Sequence, residues 1–209
     1  MPAICWYYEV SQLADPGLFE RGMAALAWEN RREQVMRFRF EKDRQLHLGA
    51  GLLLAFALRR AGASDLTLRV QEYGKPALAD RPDIHFNLSH SGSLAVCAVS
   101  EYPVGVDVEK LRSADRGVAL RCFQPREQAW MERSADKGRA FTRLWTRKES
   151  YMKLLGVGLS RPLDSFSVLP GEPVENGAVF FEHDLDGHLI CACTFSSAEA
   201  VFQEWRFSP

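Results

Sequence analysis

The apolar residues of the chain fall into two rhythms. In short runs they alternate or cluster, as strands require, and in longer stretches they recur every three or four residues, like the buried stripe of a helix. Residues 4–10 read as a first strand, and Asp15-Pro16-Gly17 follows as a turn and helix entry. Residues 18–38 and 43–60 read as two helices; the second carries Leu48, Leu52, Leu53, Phe56 and Leu58 in a broad apolar stripe and stops at Ala61-Gly62-Ala63. Three short strands are expected at 66–70, 84–88 and 94–99, separated by the turn-forming segments EYGKPALADRPD and SHSGS. After Glu101-Tyr102-Pro103 a similar order begins again, with a strand at 104–108, helices at 125–133 and 137–155, and strands near 166–168, 178–182, 189–195 and 201–205. Helices followed by antiparallel strands, twice over, predict an α+β fold of two similar lobes, residues 1–102 and 103–209.

Composition narrows the class. The 209 residues, 46% of them hydrophobic, suffice for one substantial core or two small lobes packed together. A formal net charge of -1 gives no whole-chain signal for a nucleic-acid binder. The five cysteines include no CxxC pair and read as buried thiols in a reducing compartment rather than zinc ligands. MPAICWYYEV lacks a signal-peptide pattern and no run reaches about 20 apolar residues, so a cytoplasmic protein without membrane contact is expected.

The stretch GVDVEK changes the picture. On a strand, Asp107 and Glu109 share the face that Val106 and Val108 leave, so two anions stand roughly 7 Å apart. A half-exposed strand with a solvated face would account for them, but Glu149 lies on a helix that also carries Trp145 and Lys153 at four-residue spacing. Two strand carboxylates and one helix carboxylate form the hard oxygen set that Mg²⁺ prefers, and such a site leaves coordination positions for phosphate oxygens. A phosphorylated substrate needs cations as well. Lys153 can reach the same space; Arg31, Arg37, Arg39, Lys42 and Arg44 make the first helical region basic, and Lys75 sits in the Gly74-Lys75-Pro76 turn. Ser89 and His90, in FNLSHSGSLAV, read as a polar hairpin loop able to contact phosphate, and no Walker A or GxGxxG pattern is present.

GVDVEK, FNLSHSG, CFQPREQ and LWTRKESYMKLLGVGL, in this order, resemble the motifs of the Sfp-type 4'-phosphopantetheinyl transferases, and EYGKPAL and PLDSFSV add two further matches. The likeness runs from about residue 31 to 168. It implies a pseudo-two-fold monomer whose first lobe binds coenzyme A, whose second holds the metal, and whose active site lies between them. It implies transfer of phosphopantetheine from coenzyme A to a serine of an apo carrier protein of fatty-acid, polyketide or peptide synthesis, releasing 3',5'-ADP, as in a holo-[acyl-carrier-protein] synthase. Asp107, Glu109 and Glu149 match the metal-binding acids, for Mg²⁺ or Mn²⁺. Glu149, Lys153 and Glu127 match catalytic positions, and Lys75, Ser89 and His90, with Arg31 and Arg44, match the coenzyme side. Trp145 is expected to pack the helix. Where lysines and a threonine stand in the family pattern, this chain has Arg31, Gln34 and His47. A non-catalytic binder of coenzyme A or of a carrier protein, and a Mg²⁺-dependent hydrolase of the same diphosphate, would use the same parts.

Overall fold

In the computed structural model, which describes residues 2–158, 160–195 and 199–208, the first lobe begins with strand β1 (Ala3–Glu9) and continues through helices α1 (Pro16–Ala25), α2 (Glu29–Arg37) and α3 (Glu41–Arg60). A short hairpin, β2 (Leu68–Val70) and β3 (Pro76–Leu78), precedes the long hairpin of β4 (His85–Ser91) and β5 (Leu94–Ser100). The second lobe runs β6 (Val104–Lys110), α4 (Arg116–Cys122), α5 (Pro125–Arg133), α6 (Lys137–Leu155), β7 (Val179–Leu185) and β8 (His188–Thr194). A last strand, β9 (Ala200–Glu204), follows.

The lobes repeat one topology. β5 lies between β4 and β1, and β8 lies between β7 and β6, with every one of these pairings antiparallel. In each lobe a helix of about five turns, α3 or α6, lies in the chain between the first strand and the hairpin. The expected α+β architecture of two similar lobes is the one observed.

Their boundary is less simple than a cut at residue 102. β9 pairs in parallel with β1, so the first lobe's sheet has the order β4-β5-β1-β9 and includes a strand from the far end of the described chain. Trp205 and Phe207 pack on the core of that lobe. The apolar faces of the two sheets press together, with Cys5, Val96 and Ala98 on one side and Val106, Val108, Ile190 and Ala192 on the other. This shared core ties the lobes together by burial that neither could achieve alone.

Several elements depart from the sequence expectation. The helix expected over 18–38 is broken between Ala25 and Glu29, where Leu26 and Trp28 are extended. Arg32 closes the break by donating to the carbonyls of Met23 and Leu26, and the Trp28 indole donates to the Leu66 carbonyl. The strand expected at 66–70 starts later and pairs with the unanticipated β3. SHSGS is not a loop throughout: β4 continues to Ser91, and the turn is confined to Gly92, at φ +62, and Ser93. The segment 166–168 joins no sheet, although Phe166 and Val168 are buried in the second core. Helix α4 was not expected. No helix among the described residues is long and apolar enough to cross a membrane.

Candidate active site

The site is built where α6 lies on β6. A Cβ placed on Gly105 would stand 2.0 Å from the Ser150 carbonyl oxygen and 2.4 Å from the Leu154 nitrogen, so only glycine lets helix and strand approach this closely. Contact at Gly105 aligns the rest of the strand face with the helix face. Trp145, Glu149 and Lys153, one helical turn apart, run antiparallel to Glu109 and Asp107. At one end the Trp145 indole donates to Glu109 Oε1 at 3.1 Å, and at the other the Lys153 ammonium donates to Asp107 Oδ1 at 2.6 Å.

β4 approaches the same face from the first lobe. It belongs to a different sheet, and its side chains supply what a backbone ladder otherwise would: Asn87 Oδ1 accepts from the Val106 amide, Ser89 donates to Asp107 Oδ1 at 2.8 Å, and Ser91 donates to Glu109 Oε2 at 3.0 Å. The two-residue period of one strand thus reads the two-residue period of the other. Lys153 also donates to Ser89 Oγ. The GVDVEK acids are therefore not a solvated strand face but the floor of the cleft between the lobes.

The electrostatics of this floor are unbalanced. Asp107 is 4% exposed, and its Oδ2 is buried with no hydrogen-bond partner. Burial pushes its carboxyl up to about 6, against the opposing pull of Lys153 and Ser89, and Glu109 adds to the rise. Glu149 is also shifted upward, chiefly by burial, with Lys153 opposing and Glu109 adding. Its side chain accepts no hydrogen bond among the described residues. The described residues hold no group of three or more His, Cys, Asp or Glu side chains already disposed around one point, and the ammonium of Lys153 stands against Asp107 instead. An orphaned carboxylate oxygen, two further acids on the same surface and an all-oxygen donor set fit a hard divalent cation.

Basic groups line the approaches. A cavity of about 300 Å³ is bounded by Gly74, Lys75, Asn87, Glu149, Met152 and Lys153. Lys75 crosses between lobes, donating to the carbonyls of Val104 and Lys153, and burial lowers its ammonium to about 8. The His47 and His90 rings lie 5.5 Å apart, and both are lowered, first by burial and then by neighbouring cations that include Arg31. Arg31 is held below its ordinary value by burial, and its Nε is buried without a partner. Arg31, His47, His90 and Lys153 thus form a sequence of neighbouring cationic or ionisable groups.

Two expected site residues fall outside this arrangement. Arg44 donates to the Phe38 carbonyl and lines a separate recess with Leu13, Phe19, Glu20 and Glu41. Glu127 is fully buried: one oxygen accepts from the Val168 amide, and the other accepts from the Gln124 amide and pairs with Lys148 at 2.8 Å. Lys148, also fully buried, donates to the carbonyls of Leu163 and Phe166. With two amides and one ammonium on its two oxygens and no exposed surface, Glu127 ties α5 to α6 and the 163–168 segment and does not face the cleft.

Two protein-family models cover this geometry. One, described as 4'-phosphopantetheinyl transferase superfamily, matches residues 103–200; the other, 4'-phosphopantetheinyl transferase, N-terminal, matches residues 18–102. A 4'-phosphopantetheinyl transferase of Bacillus subtilis is 40% identical over 177 residues, 82% of this chain and 77% of its own. The chain belongs to the 4'-phosphopantetheinyl transferase superfamily. The 4'-phosphopantetheinyl transferase Sfp of Bacillus subtilis (strain 168) is 39% identical, over 71% of this chain and 68% of its own. The 4'-phosphopantetheinyl transferase HetI of Nostoc sp. is 33% identical, over 73% and 70% respectively.

This superfamily member has one acidic floor although its topology is duplicated. Measured from the hairpin turns, the register that sets Asp107 opposite Cys191 sets Trp6 opposite Cys97, and Glu109 corresponds in the same way to Tyr8. Trp6 and Tyr8 pack with Phe56 and Trp205, so aromatic burial fills the position that the second lobe leaves polar. Sequence reading also missed four supporting residues. Trp145 does more than pack, because its N–H binds Glu109; Asn87 and Ser91 complete the β4 ladder; and Lys148 is the partner that fixes Glu127. The alternation Asn87, Ser89, Ser91 carried the signal for two of them.

Proposed function

We propose that the cleft transfers the 4'-phosphopantetheine group of coenzyme A to a serine hydroxyl of an apo carrier protein, with Asp107, Glu109 and Glu149 holding Mg²⁺ and releasing 3',5'-ADP. The observation that carries the reading is the buried, partnerless Oδ2 of Asp107 on a floor that also holds Glu109 and Glu149. A divalent cation bound there would supply positive charge to the diphosphate.

The chain's own residues account for the remaining requirements. Glu149 lines the cavity beside Lys153 and its side chain accepts no hydrogen bond among the described residues, so it takes the proton of the attacking hydroxyl, directly or through a water. The bond formed joins the serine Oγ to the β-phosphorus, and the bond broken releases 3',5'-ADP. Lys153, beside Asp107 and Ser89, offsets the charge left on the departing phosphate. Lys75 and the cavity it lines receive part of the coenzyme, while Arg31, His47 and His90 offer cationic contacts to its remote phosphate. Arg31's buried, unpaired Nε supports an anion there.

Fatty-acid, polyketide and peptide-synthetase carriers are all chemically suitable acceptors. Having both lobes in one chain supports action as a monomer. Incubation of apo carrier proteins of these three kinds with coenzyme A and Mg²⁺, read by intact mass, should show the gain of one phosphopantetheine and no gain with EDTA. Coenzyme A binding without a gain on any carrier would replace the transferase reading with that of a non-catalytic binder.

A further inference from the structure

Glu109 differs from Asp107 and Glu149 in having both oxygens held. Oε1 accepts from the Trp145 indole on α6, and Oε2 accepts from Ser91 on β4. The direction of the second bond is fixed by a third group. The backbone amide of Lys110 donates to Ser91 Oγ at 3.2 Å, so the hydroxyl has a donor already in place and its own proton is directed to the carboxylate. Lys110 is the residue after Glu109, so Ser91 grips the acid through its side chain and through the adjoining backbone at once.

Ser91 is itself held. It is the last residue of β4, paired with Leu94 across the turn, and the following Gly92 has φ +62. A Cβ on Gly92 would stand 3.0 Å from Nε2 of His188, which begins β8 and is paired with Lys110. The turn is therefore pressed against the second lobe at the position that places Ser91 over Glu109. A long glutamate side chain on a strand otherwise loses rotamer freedom when it is fixed, and two donors from two elements fix it in advance.

We propose that Ser91 is a positioning residue that orients the Glu109 carboxylate for the divalent cation, a role that rests on the metal reading given above. Ser91 is not among the residues that line the cavity beside Lys75, and it acts through Glu109. Outer partners of metal-binding carboxylates typically change metal affinity by 10–100-fold when removed. Threonine keeps the hydroxyl and suits a strand, so Ser91→Thr should preserve what Ser91→Ala loses.

The test measures Mn²⁺ affinity by the loss of the free-ion electron paramagnetic resonance signal, in the presence of saturating coenzyme A, for wild type, Ser91→Ala and Ser91→Thr. Thermal melting is recorded for each protein without metal. Ser91→Ala should bind Mn²⁺ at least about tenfold more weakly with an unchanged melting temperature, and Ser91→Thr should stay within about threefold of wild type. Equal affinity in Ser91→Ala and wild type, or a loss in both variants alike, would overturn the positioning role and leave the metal reading standing. A wild-type protein that takes up no Mn²⁺ while binding coenzyme A would overturn the metal reading, and the role of Ser91 with it.

Discussion

Lys153 and Asp107 meet at 2.6 Å across the contact between α6 and β6, and Ser89 from the other lobe hydrogen-bonds both. The ammonium satisfies one oxygen of the aspartate and leaves its mate buried and unpartnered. The pair is therefore half of a site, and its geometry leads to specific consequences.

Asp107→Asn keeps the shape of the side chain and removes its charge. Transfer to a carrier protein should fall by about a hundredfold or more, the usual cost of losing one preorganised electrostatic group at a reacting centre. Melting temperature should hold or rise, since burial disfavours the charged carboxyl in the folded state. Near wild-type turnover at saturating Mg²⁺, followed by mass spectrometry, would refute the assignment.

The Glu127–Lys148 pair should report on stability alone. Glu127→Gln strands a fully buried ammonium, so unfolding in urea should show a loss of about 3–5 kcal/mol. Adding Lys148→Met should recover much of that loss, and the activity per folded molecule of the double variant should remain near wild type. A double variant that folds well and does not turn over would restore Glu127 to the chemistry.

Lys75 should set an alkaline limit on coenzyme binding. Its ammonium titrates near 8 in the folded protein, against 10.5 when free, because burial disfavours the charge. The KM for coenzyme A should rise as pH passes through about 8, and Lys75→Arg, which keeps its charge, should move that limb to higher pH. Over the interval from about 8 to 10.5 the unfolded chain binds more protons at this position than the folded one, so the contribution of Lys75 to stability rises with pH. A KM profile identical in the two proteins would remove Lys75 from coenzyme binding.

Gly105→Ala inserts a methyl group where backbone atoms of α6 already stand. The helix must shift away from β6, with a loss of about 1–3 kcal/mol or more in chemical denaturation. Transfer should fall further than stability, because the displacement separates Lys153 and Trp145 from their carboxylate partners. Unchanged activity would show that the register of α6 on β6 is not what assembles the site.

Much of this was legible in the chain, for physical reasons that differ from place to place. The alternation in GVDVEK and the four-residue spacing of Trp145, Glu149 and Lys153 are local periods, and both survive folding intact. The break at Leu26 to Trp28 was hidden because the sequence continues a helical rhythm there, and it is stabilised by Arg32 and by Leu66, which lies far along the chain. Glu127 looked like an active-site acid because its partners, Lys148 and Val168, are brought to it only by tertiary packing. Arg44 shared a basic stretch with Arg31, yet the two side chains leave their helices toward different recesses. Ser91 lies in SHSGS, a stretch dense in turn formers, yet the strand runs on through it and only Gly92 begins the turn.

The parallel pairing of β9 with β1 has a bearing on how the molecule comes into being. Ala3 finds its neighbour Ala200 only after nearly the whole described chain has emerged, so one edge of the first sheet stays open during synthesis. Contacts of such sequence separation close late and slow the approach to the native state. In chain order the second lobe thus lies between two strands that are neighbours in the first lobe's sheet. A fragment ending at residue 102 would retain an unsatisfied strand edge and an uncovered aromatic surface at Tyr8 and Phe56, where Trp205 otherwise packs. The duplicated halves are therefore not two beads on a string: the first is finished by a strand that follows the second, and the cleft matures only once both lobes and β9 are present.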